Sequence, residues 1–471
     1  MIPITEYAGR DVAVFGLGRT GLSAAKALRA GGARVHAWDD NEETRAKAEA
    51  AGLVLSDINK RDWQTFAALV LSPGVPYKFP QPHRIVRMAE MTGVPIVGDT
   101  ELFARAVQSL PERGRPKIIG ITGTNGKSTT TALIGHILKQ AGRDVRIGGN
   151  IGTGVLDLAP LHANAIYVLE LSSYQLDLVK SLHCDVAVLL NITPDHLDRH
   201  GGMEGYQAAK MRIFQNQVAK DVAVIGFDDV ITQSIAIGLS ANGPARVVQA
   251  SSTYALGRGV SAVDGRLYDS TTGQANFVGK LADCTALPGR HNHQNASAAY
   301  AACRSLGLDP QTIMDGLKSF PGLAHRLEMV GEIDGVKFVN DSKATNAEAA
   351  EQALKAYKNA YWIAGGVPKA DGIKSLAPHF PNITKAYLIG DAEEAFADTL
   401  KGKVALQKCG TLEHAVQAAF KDASAAGDEQ PVILLSPACA SFDQFRDFEH
   451  RGDVFRSIVQ SMMPQELKEL A

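Results

Sequence analysis

A lysine and a serine set directly behind a glycine turn are the residues in this chain best placed to do chemistry. They fall in KIIGITGTNGKSTTT, residues 117–131. Ile118, Ile119 and Ile121 read as a buried strand, Gly123 and Gly126 as a turn, and Ala132, Leu133, Ile134 and Ile137 as the apolar face of a helix. Strand, glycine turn and helix start in that order form a phosphate-binding loop. Its backbone N–H groups and the positive end of the helix face an anion, and glycine lets the backbone come close. Lys127 then reaches the β/γ-phosphates of a nucleotide, and the Ser128 hydroxyl ligates Mg²⁺. The strict spacing asks for glycine at position 121, where this chain has Ile121, so the loop is a variant. A glycine-rich strand-to-helix turn without a ligand is the competing reading.

Two further strands end in groups that can bind a metal or orient water. Residues 165–169 deliver Glu170, and residues 185–190 deliver Asn191 through His196. Beside a phosphate loop, such groups suggest metal ligands and water-positioning side chains. A solvated strand-end acid and a helix-capping histidine account for the same residues. Lys210 lies in a helical stretch, residues 206–214, where a lone lysine is ordinarily on a solvated face. His291 and His293 stand just before a helix over residues 296–303, a place that suits capping better than a metal pair. Asn292 and Asn295, three apart, share a helical face and can hydrogen-bond a base edge. Cys439 has no paired histidine in the pattern and reads as a packed small residue rather than a nucleophile.

Alternating strands and helices must position these groups. The chain opens with a strand (12–15), Gly16-Leu17-Gly18-Arg19-Thr20-Gly21, a helix (22–30) and a strand (34–38) ending in Asp39. This dinucleotide fingerprint reads a diphosphate beside a ribose, so it admits NAD and other nucleotides alike. A third strand (67–71) runs into Ser72-Pro73-Gly74-Val75-Pro76, a rigid turn at the edge where doubly wound folds bind ligands. Turn chemistry alone explains the same five residues. Residues 110–116 and 320–323 read as linkers, and residues 227–283 as short strands and loops. Beyond the second linker, strands at 336–339, 361–364, 386–389 and 432–435 alternate with helices as a parallel unit. The expectation is an α/β chain of three domains, 1–115, 116–322 and 323–471.

Composition narrows the function classes. Lys plus Arg (48) nearly balances Asp plus Glu (50), so no basic excess supports a nucleic-acid or membrane-surface role. Five scattered cysteines without a C-x-x-C pair argue against a disulfide framework or a zinc site. The N-terminus lacks an apolar signal core, and no run approaches the ~20 apolar residues of a membrane span. A cytoplasmic protein is expected.

GTNGKST, GNIG (149–152), ELSSYQL (170–176), PDHLD (194–198), HNHQNA (291–296), His325-Arg326, NDSKATN (340–346) and LSPACASFDQF (435–445) together resemble the Mur ligases. The motifs follow family order along nearly the whole chain. LSPACASFDQFRDFEHRG is similar to the stretch that marks the members adding D-glutamate, and the D-N-P-R pattern of the diamino-acid-adding members is missing after Gly365-Gly366. The resemblance implies an N-terminal Rossmann-like UDP-binding domain, a central P-loop ATPase-type domain and a C-terminal Rossmann-like domain. It implies an ATP-dependent ligase joining D-glutamate to UDP-N-acetylmuramoyl-L-alanine through an acyl phosphate, in cytoplasmic peptidoglycan precursor synthesis. Such an enzyme works as a monomer on small molecules, without nucleic acid or membrane insertion.

The resemblance also assigns residues. Gly18, Arg19, Thr20, Asp39, Ser72, Gly74 and Asn150 match positions that hold the UDP substrate. Gly123, Thr124, Asn125, Gly126, Lys127, Ser128, Thr129, Asn292, Asn295, Arg326, Asp341 and Lys343 match ATP contacts, with His325 helping to assemble the site. Thr345, Lys369, Ser441 and Phe448 match positions that hold D-glutamate, although this chain reads Val367-Pro368 where the family form has an acid shortly before the lysine. Ser128, Glu170, His196 and Lys210 match ligands of two Mg²⁺ ions, Lys210 as a carbamate formed with CO₂. An ammonium repels Mg²⁺ and a neutral amine is a poor ligand for it, whereas a carbamate offers an anionic hard oxygen. Lys127, Glu170, His196, Lys210 and Arg326 are the implied catalytic set. A folylpolyglutamate synthetase-like ligase, a P-loop switch and an NAD dehydrogenase are the competing readings.

Overall fold

The computed structural model describes residues 1–369, 372–427 and 429–463. It divides into two compact units, residues 1–284 with 290–320, and residues 285–289 with the chain from Pro321 onward. The first unit holds two sheets and the second holds one.

The first sheet is parallel, in the order β2-β1-β3-β4, with β1 Asp11–Phe15, β2 Arg34–Trp38, β3 Phe66–Leu71 and β4 Ile96–Val97. β1 and β3 are almost entirely buried. They therefore read as continuous apolar runs rather than alternating ones. Their carboxyl ends bring the Gly16 turn, Asp39 and Ser72 to one edge.

The second sheet comprises β5 Lys117–Thr122, β6 Asp144–Gly149, β7 Ala165–Glu170, β8 Val186–Leu189, β9 Val222–Gly226, β10 Arg246–Ser251, β11 Gly259–Val263, β12 Arg266–Asp269 and β13 Asn276–Lys280. Its order is β13-β12-β11-β10-β9-β8-β5-β7-β6, and only β12 runs against the others. β5 lies between β7 and β8, so its glycine loop opens between the strand ends that carry Glu170 and Asn191. Ligands bind at such carboxyl-edge crevices in parallel α/β sheets. The helix Arg290–Ser305 packs against the helix Lys127–Gln140 that follows the loop. Buried Ala296, Ala298, Ala299, Ala301 and Ala302 let it lie close.

The sheet of the second unit runs β14-β15-β19-β16-β17-β18, with β14 Glu328–Ile333, β15 Val336–Asn340, β16 Ala360–Gly365, β17 Ile383–Ile389, β18 Ala405–Gly410 and β19 Val432–Leu435. Only β14 is antiparallel.

Three expectations need correction. Residues 230–242 form a helix, Val230–Asn242, instead of strands and loops. Its N-terminal signal was present: the Asp229 side chain accepts from the Thr232 N–H at 2.9 Å and caps the first turn. The later helix begins at Arg290, so His291, Asn292 and His293 lie within its first turn and not before it. The third sheet has six strands rather than four. β14 joins β15 through Asp334-Gly335, both at positive φ (49° and 78°), the Asp-Gly signature of a two-residue hairpin turn. β18 is a polar, half-exposed edge strand and lacks the apolar run by which its neighbours were recognised.

Gly21 fixes how closely the first helix approaches its loop. A Cβ there would stand 1.7 Å from the Gly16 carbonyl oxygen. Gly21→Ala is expected to destabilise by about 1–3 kcal/mol, the scale of overpacking, and to lower the thermal unfolding midpoint. An unchanged midpoint would show that the approach is not constrained.

Candidate active site

The phosphate loop is braced from β8. Asn191 accepts from the Asn125 N–H through Oδ1 (2.8 Å) and donates from Nδ2 to the Asn125 carbonyl (3.1 Å). The Thr124 hydroxyl donates to the Thr193 carbonyl at 3.1 Å, accepts from the Thr193 N–H at 3.0 Å and meets the Tyr206 hydroxyl at 3.1 Å. Gly126 has φ 83°, and a Cβ on it would lie 2.3 Å from Asn295 Oδ1. Asn295 in turn donates to Asn292 Oδ1 at 3.1 Å, so the expected pair does share one buried face. Ser128 is buried in the first helical turn, with Thr129 half-buried after it.

Two lysines converge on this loop. Lys127 Nζ donates to the carbonyls of Gly123 (3.0 Å) and Thr124 (2.6 Å), and Lys210 Nζ donates to the same Gly123 carbonyl at 2.7 Å. Lys210 is 1% exposed, which corrects the expectation of a solvated face. Burial, reinforced by the Lys127 charge, pushes its ammonium down to about 6.

Glu170 is buried as well, against the reading of a solvated acid. Its Oε1 accepts from Asn150 Nδ2 at 2.8 Å, while the buried Oε2 has no hydrogen-bond partner. A buried carboxylate oxygen left without a donor has the chemistry to accept a cation. His196 lies half-exposed at φ 52°, its ring 5.0 Å from Tyr174 and its Nε2 3.4 Å from Asp195. Burial lowers its pKa. Among the described residues no group of three or more His, Cys, Asp or Glu is placed to hold a metal.

The edge of the first sheet faces this site. The Asp39 carboxylate accepts from the Leu17 N–H (2.6 Å) and the Asn41 N–H (2.9 Å), and Ser72 Oγ donates to the Gly16 carbonyl at 2.6 Å. Both side chains thus shape the glycine turn, leaving Gly18 and Thr20 at its rim. Arg19 reaches across to the carbonyls of Asn150 and Gly152, each at 3.0 Å. Arg199 reaches the other way, to the carbonyls of Gly74 (3.1 Å) and Pro73 (3.5 Å). Its guanidinium lies 4.8 Å from the Tyr174 ring centroid and its buried Nε has no partner.

In the second unit, the loops after β15, β16 and β19 gather around Arg451. This arginine is fully buried and donates to Ser342 Oγ (2.9 Å) and to the carbonyls of Ser342 (2.8 Å), Cys439 (3.1 Å) and Gly365 (3.5 Å). Burial lowers its pKa to about 10. Lys343 Nζ stands 3.6 Å from the Phe448 ring centroid, and the Thr345 N–H donates to the Lys343 carbonyl at 2.8 Å. Ser441 Oγ is buried without a partner, while Lys369 and Arg326 are exposed. His325, at φ 62°, is held by Asn340 Nδ2 at 3.0 Å. Cys439 is packed in the core, as expected.

Asn191, Tyr206, Arg199 and Arg451 were not singled out from sequence. Asn191 and Tyr206 lay in stretches read only as a strand end and a helix. Arg199 follows PDHLD by one residue and Arg451 lies in FEHRG, so position beside a recognised motif was the available signal.

The chain matches "Mur ligase MurD-like, N-terminal domain" over residues 10–98, "Mur ligase middle domain" over 121–303 and "Mur ligase, glutamate ligase domain" over 325–439. It is 57% identical over 462 residues to a UDP-N-acetylmuramoylalanine–D-glutamate ligase of Caulobacter sp. (strain K31), covering 98% of each chain. The protein of that name from Phenylobacterium zucineum is 58% identical over the same shares. The one from Rhodospirillum rubrum is 53% identical over 98% of this chain and 97% of its own. Among solved structures, a UDP-N-acetylmuramate-alanine ligase of Thermotoga maritima superposes with a TM-score of 0.59 at 18% identity, covering 96% of this chain and all of its own. A MurF of Acinetobacter baumannii gives 0.55 at 20% identity, over 78% of this chain and 82% of its own. The last two likenesses are of fold.

Asp341 supplies a pH test. It is buried, accepts from Ser436 Oγ at 2.8 Å and from the Leu327 N–H at 3.3 Å, and burial raises its pKa to about 7. Its folded value lies above the unfolded 3.8, so its contribution to stability falls as pH rises between about 4 and 7. Wild type is expected to lose stability relative to Asp341→Asn across that window, at most about 1.4 kcal/mol per pH unit. A pH-independent difference between the two melting curves would show that this carboxyl titrates normally.

Proposed function

The chain belongs to the Mur ligase family, and on that premise we propose that it joins D-glutamate to UDP-N-acetylmuramoyl-L-alanine with hydrolysis of ATP to ADP. It is an acid–amino-acid ligase of peptidoglycan precursor synthesis, working in the cytoplasm as a monomer on small molecules. The observation that carries this reading is the unpaired Glu170 oxygen beside a phosphate loop flanked by two lysines. Identity of 57–58% over 98% of the relatives that bear this ligase's name supports the choice of substrates.

The three domains divide the work. Residues 1–115 hold the nucleotide sugar through Gly18, Arg19, Thr20, Asp39, Ser72 and Gly74, with Asn150 contributed from the central domain. Residues 116–322 hold ATP on the loop Gly123–Thr129 and on Asn292 and Asn295. Residues 323–471 bring Arg326, Asp341 and Lys343 to the nucleotide, and Thr345, Lys369, Ser441 and Phe448 to D-glutamate. Residues 464–471 lie outside the described part of that domain.

A carboxylate is a poor electrophile, so the alanyl carboxylate first takes the γ-phosphoryl group of ATP. The amine of D-glutamate then attacks the acyl phosphate, and the tetrahedral intermediate expels phosphate. Two anions must meet in the first step, and cations lower its barrier. Lys127 and Arg326 supply protein charge there. Ser128, Glu170, His196 and a carbamate on Lys210 would hold two Mg²⁺. Bound magnesium supplies charge neutralisation between the carboxylate and the phosphates. Burial keeps the Lys210 amine neutral and so nucleophilic toward CO₂, and the carbamate anion, formed with release of one proton to solvent, would be attracted to the Lys127 ammonium.

The reading is tested by incubating the protein with ATP, magnesium, UDP-N-acetylmuramoyl-L-alanine and D-glutamate. Amide product is expected, with phosphate release that requires both acceptor and amine; no new amide would end the proposal. Lys127→Ala is expected to cost about 10²–10⁴ in turnover. Turnover within threefold of wild type would remove Lys127 from the charge-stabilising role. Lys210→Ala is expected to be nearly inactive and partly rescued by short carboxylates, and wild type in ¹³C-bicarbonate should show a carbamate carbon resonance. Absence of both rescue and resonance overturns the carbamate.

A further inference from the structure

The amino edge of the second sheet, at the far end of β5 from the phosphate loop, holds a cavity of about 420 Å³. One wall comes from the helix Asp99–Gln108 and the connector after it, the other from the starts of β5 and β8. Its floor is apolar: Ala104, Val107 and Ile118 are buried, and Val218 is 46% exposed into it. Its mouth is charged. Lys117 pairs with Asp185 at 2.7 Å and Lys220 with Glu112 at 3.0 Å. Arg115 donates to the carbonyls of Gln108 and Leu110.

The charges are not evenly presented. The Asp185 carboxylate is only 15% exposed and accepts from both Lys117 Nζ and the Ile118 N–H. Asp221 beneath it is covered and accepts from His183 and the Val218 N–H. The ammonium-bearing side chains of Lys117 and Lys220 are 55% and 59% exposed, each with donors beyond the one given to its carboxylate. Glu112 is the one carboxylate standing well into solvent, and Lys220 already engages it.

We propose that this cavity binds a small amphiphilic anion, a ring system bearing one carboxylate or sulfonate, at a site separate from the nucleotide loop. The ring takes the floor of Ala104, Val107, Ile118 and Val218, and the anionic group meets Lys117, Lys220 and Arg115 at the mouth. The volume falls within the roughly 300–1,000 Å³ of small-molecule sites, and an apolar lining with a few polar groups is their usual chemistry. The site lies at the roots of the strands that deliver the phosphate loop and Asn191. Asp185 ties those two roots together.

The probe is anilinonaphthalene sulfonate, titrated by fluorescence into the full chain with and without saturating ATP and magnesium. One saturable site per chain is expected, unaffected by ATP. Val218→Trp fills the floor from its exposed side and Val218→Glu places a carboxylate there. Each is expected to weaken binding at least tenfold while leaving the circular dichroism spectrum and turnover unchanged. Lys220→Gln removes one exposed charge and is expected to weaken binding about two- to fivefold, the scale of a surface ion pair. No saturable binding, displacement by ATP, or full binding by both Val218 variants overturns the proposal. The last outcome would place the dye on another apolar face, such as Val230 and Ile237 of the helix Val230–Asn242.

Discussion

Two lysine side chains aimed at one carbonyl oxygen make it costly to charge both, and the phosphate-loop face is arranged around that fact. Lys127 and Lys210 both donate to Gly123, one from the helix that follows the loop and one from a helix more than eighty residues later in the chain. Unlike charges in water, these are poorly screened, because Lys210 is buried. The loop is therefore electropositive before any ligand arrives, with an unpaired Glu170 oxygen waiting on the neighbouring strand. Anionic phosphate and a cation together relieve both strains. A site of this kind is pre-organised for charge that comes with the substrate.

The second unit solves a related problem differently. Arg451 is buried, and it donates to a hydroxyl and three carbonyls. A guanidinium can be kept in a core this way because it is weakly hydrated and carries five donors in a fixed fork. It pins the turns after β15, β16 and β19 to one another.

Much of this was legible in the residues. The strand, glycine turn and helix of the phosphate loop were marked by local chemistry that tertiary packing had no reason to override. So were the Gly16 turn and the parallel strands of the third sheet, whose buried faces demand apolar runs. The elements that escaped were those with mixed signals. The helix Val230–Asn242 is rich in Val, Ile, Ser and Gly, a composition shared with strands and loops, and its Asp229 cap was the clue that mattered. β18 has too little burial to leave a pattern. Lys210 was unreadable for a deeper reason: a lysine's burial depends on what the distant loop at Gly123 offers it, and no spacing within its own helix records that.

Arg19 and Arg199 grip across the same crevice in opposite directions, and every oxygen they hold is main chain. A fastening of this sort is indifferent to which side chain sits at the gripped position, provided the turn keeps its course. Variation at Asn150, Gly152, Pro73 or Gly74 would thus be felt through loop curvature long before it was felt through lost fastening. A mutational library over Gly152, Pro73 and Gly74 should accordingly sort by backbone compatibility, whereas Asn150 also carries its side-chain bond to Glu170.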